Sequence, residues 1–140
     1  AVIANQPEAI EQALMSYGKH LGNAFQLIDD ALDYSASAEE MGKNVGDDLA
    51  EGKPTLPLIH AMENSEGKER ERIRSAIENG GGDQFDPIMK TITHTNAIEY
   101  TLDAAKLAVD EATDSAMKLP ESPYREALIS LAQFTLTRTH

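Results

Sequence analysis

With 140 residues, 12 Lys and Arg against 24 Asp and Glu, and a formal net charge of −12, the chain is long enough to build one core and too acidic to seek nucleic acid or an anionic membrane surface. The lack of cysteine in the sequence excludes disulfides and thiolate metal sites and is compatible with a reducing, cytoplasmic compartment. No apolar run approaches the roughly 18 residues of a membrane span, and a composition rich in Ala and Leu with only 5% aromatics favours an all-α fold, a helical bundle.

The sequence opens without Met on Ala1-Val2-Ile3-Ala4, a short apolar piece that reads as the cut end of a helix. Pro7 suits the first turn of the next helix. Ile10, Ala13, Leu14, Tyr17, Leu21, Ala24 and Ile28 then recur at steps of three and four, so one long helix is expected to run to about Tyr34. Its last turns, LGNAFQLIDDALDY, carry an unusual pattern. At 100° per residue, Gln26, Asp29, Asp30 and Asp33 share an arc of about 100°, while Ala24, Leu27, Ile28, Ala31 and Leu32 fill the opposite face.

Asp29 and Asp33 form an i,i+4 like-charge pair, which costs an isolated helix roughly 0.2–0.5 kcal/mol, and no Lys or Arg lies three or four residues from any of the three aspartates. Compensation must therefore come from outside the helix. A hard divalent cation, taking one or two carboxylates with waters and phosphate oxygens, is one candidate. A solvated acidic face is the other. Gly18 and Gly22 each cost about 1 kcal/mol relative to Ala in a helix, and a small residue at 22 serves either a ligand or a neighbouring helix.

From Ser35 to Lys53 the pattern breaks into a polar, glycine-punctuated loop with one short helical turn. Lys43 and Lys53 each come directly after a glycine, leaving room for an ammonium to approach a phosphate; taken alone, both read as surface lysines. Asp47 and Asp48 suit a helix start. Residues 55–64 should form a short buried helix with Pro57 in its first turn. Lys68 to Asn79, with its KERERIR run, should be an exposed charged helix, closed by Gly80-Gly81-Gly82 as a stop and linker. A short helix over 83–93 comes next, then a longer one from a capping-box-like Asn96 and Glu99 to Lys118. The last helix starts with Ser122 as cap and Pro123 in first position, with Leu128, Leu131, Ala132 and Phe134 expected to face the core.

The six positions Gly22, Phe25, Gln26, Asp29, Asp30 and Asp33 fit G-x-x-F-Q-x-x-D-D-x-x-D, and this stretch closely resembles the second aspartate-rich motif of the trans-isoprenyl diphosphate synthases. The segment GKNVGDDLAEGKPTLPL, with Gly42, Lys43, Gly46, Asp47, Gly52, Lys53 and Pro57, is similar to the segment on the carboxyl side of that motif in the same family, most closely in long-chain members. The resemblance covers essentially all 140 residues, but only the carboxyl-terminal part of an isoprenoid synthase-type helical domain.

It implies an enzyme that condenses isopentenyl diphosphate with an allylic diphosphate under Mg²⁺, as a homodimer. Asp29 and Asp30 would hold Mg²⁺ on the diphosphate, with Asp33 acting directly or through water. Lys43 and Lys53 would neutralise phosphate oxygens, Gln26 would make a polar contact, and Phe25 would line the apolar cavity. Family members carry a second, facing aspartate-rich helix. In this chain the sole other Asp-Asp pair is Asp47-Asp48, in the downstream loop, and the basic carboxyl end is partly present as Arg138-Thr139-His140. Two other roles fit the residues: a non-catalytic half of a heteromeric synthase, or an unrelated helical module.

Overall fold

The computed structural model describes residues 1–35 and 47–137, and among these every regular element is helical. In chain order the elements are α1 (Glu8–Leu32), α2 (Asp47–Ala50), α3 (Leu56–Glu63), α4 (Gly67–Asn79), a short 3₁₀ turn (Gly82–Gln84), α5 (Phe85–His94), α6 (Ala97–Met117) and α7 (Pro123–Leu136). The expected helices are all present within a few residues of their predicted ends. Residues 2–5 are a hydrogen-bonded turn rather than a helix end: the Asn5 amide donates to the Val2 carbonyl at 3.0 Å, and Asn5 has φ 50°.

Two compact units divide the chain, Ala1–Gln26 with Ala104–His140, and Leu27–Asp103. The first has a core of Tyr17, Ala24, Ala108, Val109, Ala112, Ala116 and Ala132, edged by Leu21, Leu128, Ile129 and Leu136. Alanines at these positions let helices approach closely, and polar groups bridge them. The Ser16 and Ser115 hydroxyls lie 2.8 Å apart, the Tyr17 hydroxyl donates to the Leu128 carbonyl at 2.8 Å, and His20 Nδ1 stands 2.7 Å from Glu111. Ser122 caps α7 by accepting from the Arg125 amide at 3.2 Å, as its sequence predicts. The inward face of α7 differs from expectation. Ala132 and Thr135 are buried, whereas Leu131 is 50% and Phe134 64% exposed, so the apolar stripe is turned toward the smaller residues that the alanine core admits.

The second unit is filled by larger side chains: Tyr34, Leu49, Leu58, Ile73, Ile88 and Ile92, with Ala61, Ala76 and Ala97 between them. Here α4 is the charged helix the sequence predicts, with only Ile73 and Ala76 buried. Asn96 departs from its expected role. It has φ 53°, and its amide donates to the Thr93 carbonyl at 3.1 Å, so it closes α5 in a left-handed conformation and leaves no amide for Glu99 to cap.

The triple glycine is not a linker. Gly81 is buried, its amide donates to the Leu49 carbonyl at 2.9 Å, and a Cβ there would stand 2.6 Å from Ala76 Cβ and 2.9 Å from Leu49 Cδ1. Opposite it, Gly52 has φ +71°, and a Cβ would lie 2.7 Å from the Ile77 carbonyl oxygen. Only glycine allows the segment after α2 and the turn after α4 to pack backbone on backbone at this distance. This contact fixes where the next residue, Lys53, begins.

Candidate functional site

The aspartates lie at the carboxyl end of α1, within the second unit. Asp30 and Asp33 are buried and Asp29 is half-buried, so the acidic arc is not a solvated face. Burial pushes the Asp33 carboxyl above its ordinary value, the charge of Asp48 pushes it further, and a hydrogen bond from the Asp48 backbone pulls it partly back. Next to it, Tyr34 is almost fully buried. Its hydroxyl accepts from Thr55 Oγ1 at 3.5 Å, and burial raises its pKa strongly.

The compensating charge that α1 lacks arrives from the connection between α2 and α3. Lys53 Nζ donates to Asp30 Oδ1 at 3.4 Å and to both carboxylate oxygens of Asp48, at 3.1 and 3.0 Å. These contacts to carboxylates raise the Lys53 pKa, the hydrogen bond to Asp48 most of all, so its ammonium stays charged at any physiological pH. Gly52 therefore serves backbone packing rather than clearance for that ammonium, although Lys53 is the lysine its spacing singles out.

Asp48, which by its local sequence reads as a helix start, is a member of the cluster. Its amide donates to Asp33 Oδ2 at 3.2 Å, its carbonyl accepts the Lys53 amide at 2.9 Å, and its carboxylate holds Lys53 Nζ. In the sequence it stands out as half of the Asp47-Asp48 pair within the family-like segment, five residues before Lys53. Lys43 falls outside the described residues. Phe25 and Gln26, both exposed, precede Asp29 on α1 by about one turn and belong to the first unit. A side chain at Gly22 would meet open space, which favours neither helix packing nor any other contact there among the described residues.

The donors that α1 offers are carboxylate oxygens, the ligand type of a hard cation, and two of the groups are buried. Among the described residues no three acidic or imidazole side chains converge as a cage. A divalent ion held here would take few ligands from these residues and complete its shell from water and phosphate oxygens, the manner characteristic of Mg²⁺.

The family model described as polyprenyl synthetase matches residues 1–93, a span that includes the whole α1 to α3 constellation. The chain belongs to the polyprenyl synthetase family. It is 48% identical over 141 residues to the octaprenyl diphosphate synthase of Haemophilus influenzae, covering 100% of this chain and 43% of that protein. It is 47% identical over 129 residues to the octaprenyl diphosphate synthase of Escherichia coli, covering 91% of this chain and 40% of that one.

A crystal structure of polyprenyl synthase from Caulobacter crescentus, complexed with calcium and isoprenyl diphosphate, superposes with a TM-score of 0.84 at 41% identity, covering 100% of this chain and 43% of that one. The chain thus spans less than half the length of the curated relatives it matches. That polyprenyl synthase carries a divalent cation and an isoprenyl diphosphate. No helix among the described residues here is long and apolar enough to cross a membrane.

Proposed function

We propose that this chain is the carboxyl-terminal part of a single all-helical synthase domain, and that the whole protein condenses isopentenyl diphosphate with an allylic diphosphate to extend an all-trans polyprenyl chain. The observation that carries the reading is Lys53, held by Asp30 and Asp48 at the end of α1 with the Asp48 amide on Asp33, within the residues that the family model matches. Mg²⁺ is the proposed cofactor. When bound, it would supply positive charge to the diphosphate oxygens as they leave an allylic carbon.

The chain's own residues would divide the rest. Asp29 and Asp30 would hold the cation, and Asp33 would act directly or through water. Lys53 and Lys43 would neutralise phosphate oxygens. Gln26 would contribute a polar contact, and Phe25 would line the path of the apolar chain. An octaprenyl product, destined for a quinone side chain, is supported by the 48% and 47% identities to octaprenyl diphosphate synthases. A homodimer in the cytoplasm completes the reading.

The test is incorporation of labelled isopentenyl diphosphate by the full-length protein, with Mg²⁺ and allylic primers of several lengths. Elongation to one dominant long product is expected. The 140 residues alone should be silent, because orientation of both substrates contributes roughly 7–11 kcal/mol to such a coupling and needs more than one wall. Sustained elongation by the isolated chain near the full-length rate would refute that division.

A further inference from the structure

Lys53 is held unequally by its two carboxylates. Asp48 takes it through both oxygens at 3.1 and 3.0 Å, while Asp30 takes it through one at 3.4 Å. Exposure runs the same way: the Lys53 side chain is 44% exposed, that of Asp48 20%, and that of Asp30 9%. The ammonium is therefore reachable from solvent, and the weaker of its two partners is the more deeply buried carboxylate.

Asp48 is also tied to the rest of the cluster through its backbone. Its carbonyl accepts the Lys53 amide at 2.9 Å, and its amide donates to Asp33 Oδ2 at 3.2 Å. One residue thus fixes the direction of a cationic side chain and of an acidic one just past the end of another helix. Neither contact uses Asp29.

We propose that Asp48 is a positioning residue for diphosphate binding: it retains Lys53 beside the acidic face when Asp30 gives the ammonium up, and it holds Asp33 in register through its backbone amide. The inference rests on the reading that the acidic face takes a cation-bound diphosphate. Were Asp30 to hold a cation, its attraction for Lys53 would give way to repulsion between two positive charges at close range. Without Asp48 the long lysine side chain would then leave for solvent, where its charge is screened and its rotamer freedom is regained. With Asp48 it stays, and an N–H that had pointed to Asp30 becomes available to a phosphate oxygen. An ammonium carries three donors, so Asp48 and a phosphate can be served together.

The experiment is calorimetric titration of inorganic pyrophosphate into the full-length protein at fixed Mg²⁺, using wild type, Asp48→Asn, Asp48→Glu, Lys53→Ala, Asp30→Asn and the Asp48→Asn/Lys53→Ala double variant. Asp48→Asn and Lys53→Ala should each weaken binding about tenfold, the size of one partly exposed charge-assisted hydrogen bond. The double variant should be no weaker than Lys53→Ala alone, because the two act through one contact. Asp48→Glu should recover most of the affinity. In steady-state assays Asp48→Asn should raise the KM for the allylic diphosphate by more than it lowers kcat, a split that a merely destabilised protein would not give.

Additive losses in the double variant, or wild-type affinity in Asp48→Asn while Lys53→Ala binds weakly, would overturn the positioning role. Wild-type affinity in both Lys53→Ala and Asp30→Asn would overturn it together with the diphosphate reading, which separates the two failures.

Discussion

Around Ala24, Ala108, Ala112, Ala116 and Ala132 the first unit packs its helices through side chains of a single carbon, whereas the second fills its core with Leu, Ile and Tyr and locks two loops together through Gly52 and Gly81. The contrast reflects the different task of each unit. Helix against helix needs only small residues on matching faces. Placing Lys53 next to Asp30 needs a non-helical stretch of backbone held to within tenths of an ångström, and a large-residue core with glycine contacts does that. The functional cluster sits in the unit with the more specific packing.

The largest effect expected is on chemistry and is confined to the second unit. In the full-length protein Asp29→Asn or Asp30→Asn should lower turnover by about 10²–10³-fold, the scale of removing one electrostatic stabiliser of a transition state, while the helical circular dichroism stays unchanged. Wild-type turnover in Asp29→Asn at saturating Mg²⁺ would remove Asp29 from the cation site.

Core substitutions of opposite kind should sharpen the comparison. Leu58→Ala, at a fully buried position of the second unit, should cost about 2–5 kcal/mol by leaving a cavity. In the first unit the damaging change runs the other way: Ala112→Leu should cost about 1–3 kcal/mol by overpacking. Denaturant unfolding of the full-length variants measures both. If Ala112→Leu were neutral, the close helix contact inferred from the alanine core would be wrong.

Glycines divide in the same way. Gly52→Ala forces a positive φ and a close approach to the Ile77 carbonyl, and should destabilise by about 1–3 kcal/mol. Gly18→Ala places a methyl in open space on a regular helix and should stabilise by about 1 kcal/mol. Equal and small shifts in both variants would show that Gly52 carries no packing constraint.

The smallest effect concerns pH. Burial first, and the Asp48 charge second, lift the Asp33 carboxyl above its ordinary value. The folded protein then keeps a proton over a window in which the unfolded chain has lost it. The stability Asp33 contributes is full below the ordinary carboxylate range and is lost as pH rises through the raised folded value. Asp33→Asn should flatten that decline and leave the thermal midpoint at neutral pH equal to or above that of wild type. A lower midpoint for Asp33→Asn at neutral pH than at acid pH, relative to wild type, would reverse the sign.

Helices were legible in the sequence because their signals are local. The three- and four-residue spacing that buries Ala13, Tyr17, Ala24 and Ile28 and the Ser122 cap both depend on residues within a few turns of one another. The acidic arc and the family motif were legible for the same reason, since Asp29, Asp30 and Asp33 share a face by helical geometry alone. The sequence could not determine which groups meet that face. One partner of Asp30 is Lys53, 23 residues later, and the residue that holds both Lys53 and Asp33 is Asp48, which reads locally as a helix start. Nor could periodicity tell that Asn96 ends one helix in a left-handed turn, that Leu131 and Phe134 face outward, or that Gly81 is buried against Leu49. Each of these depends on distances between segments remote in the chain, and such distances are set by packing, which only the tertiary structure decides.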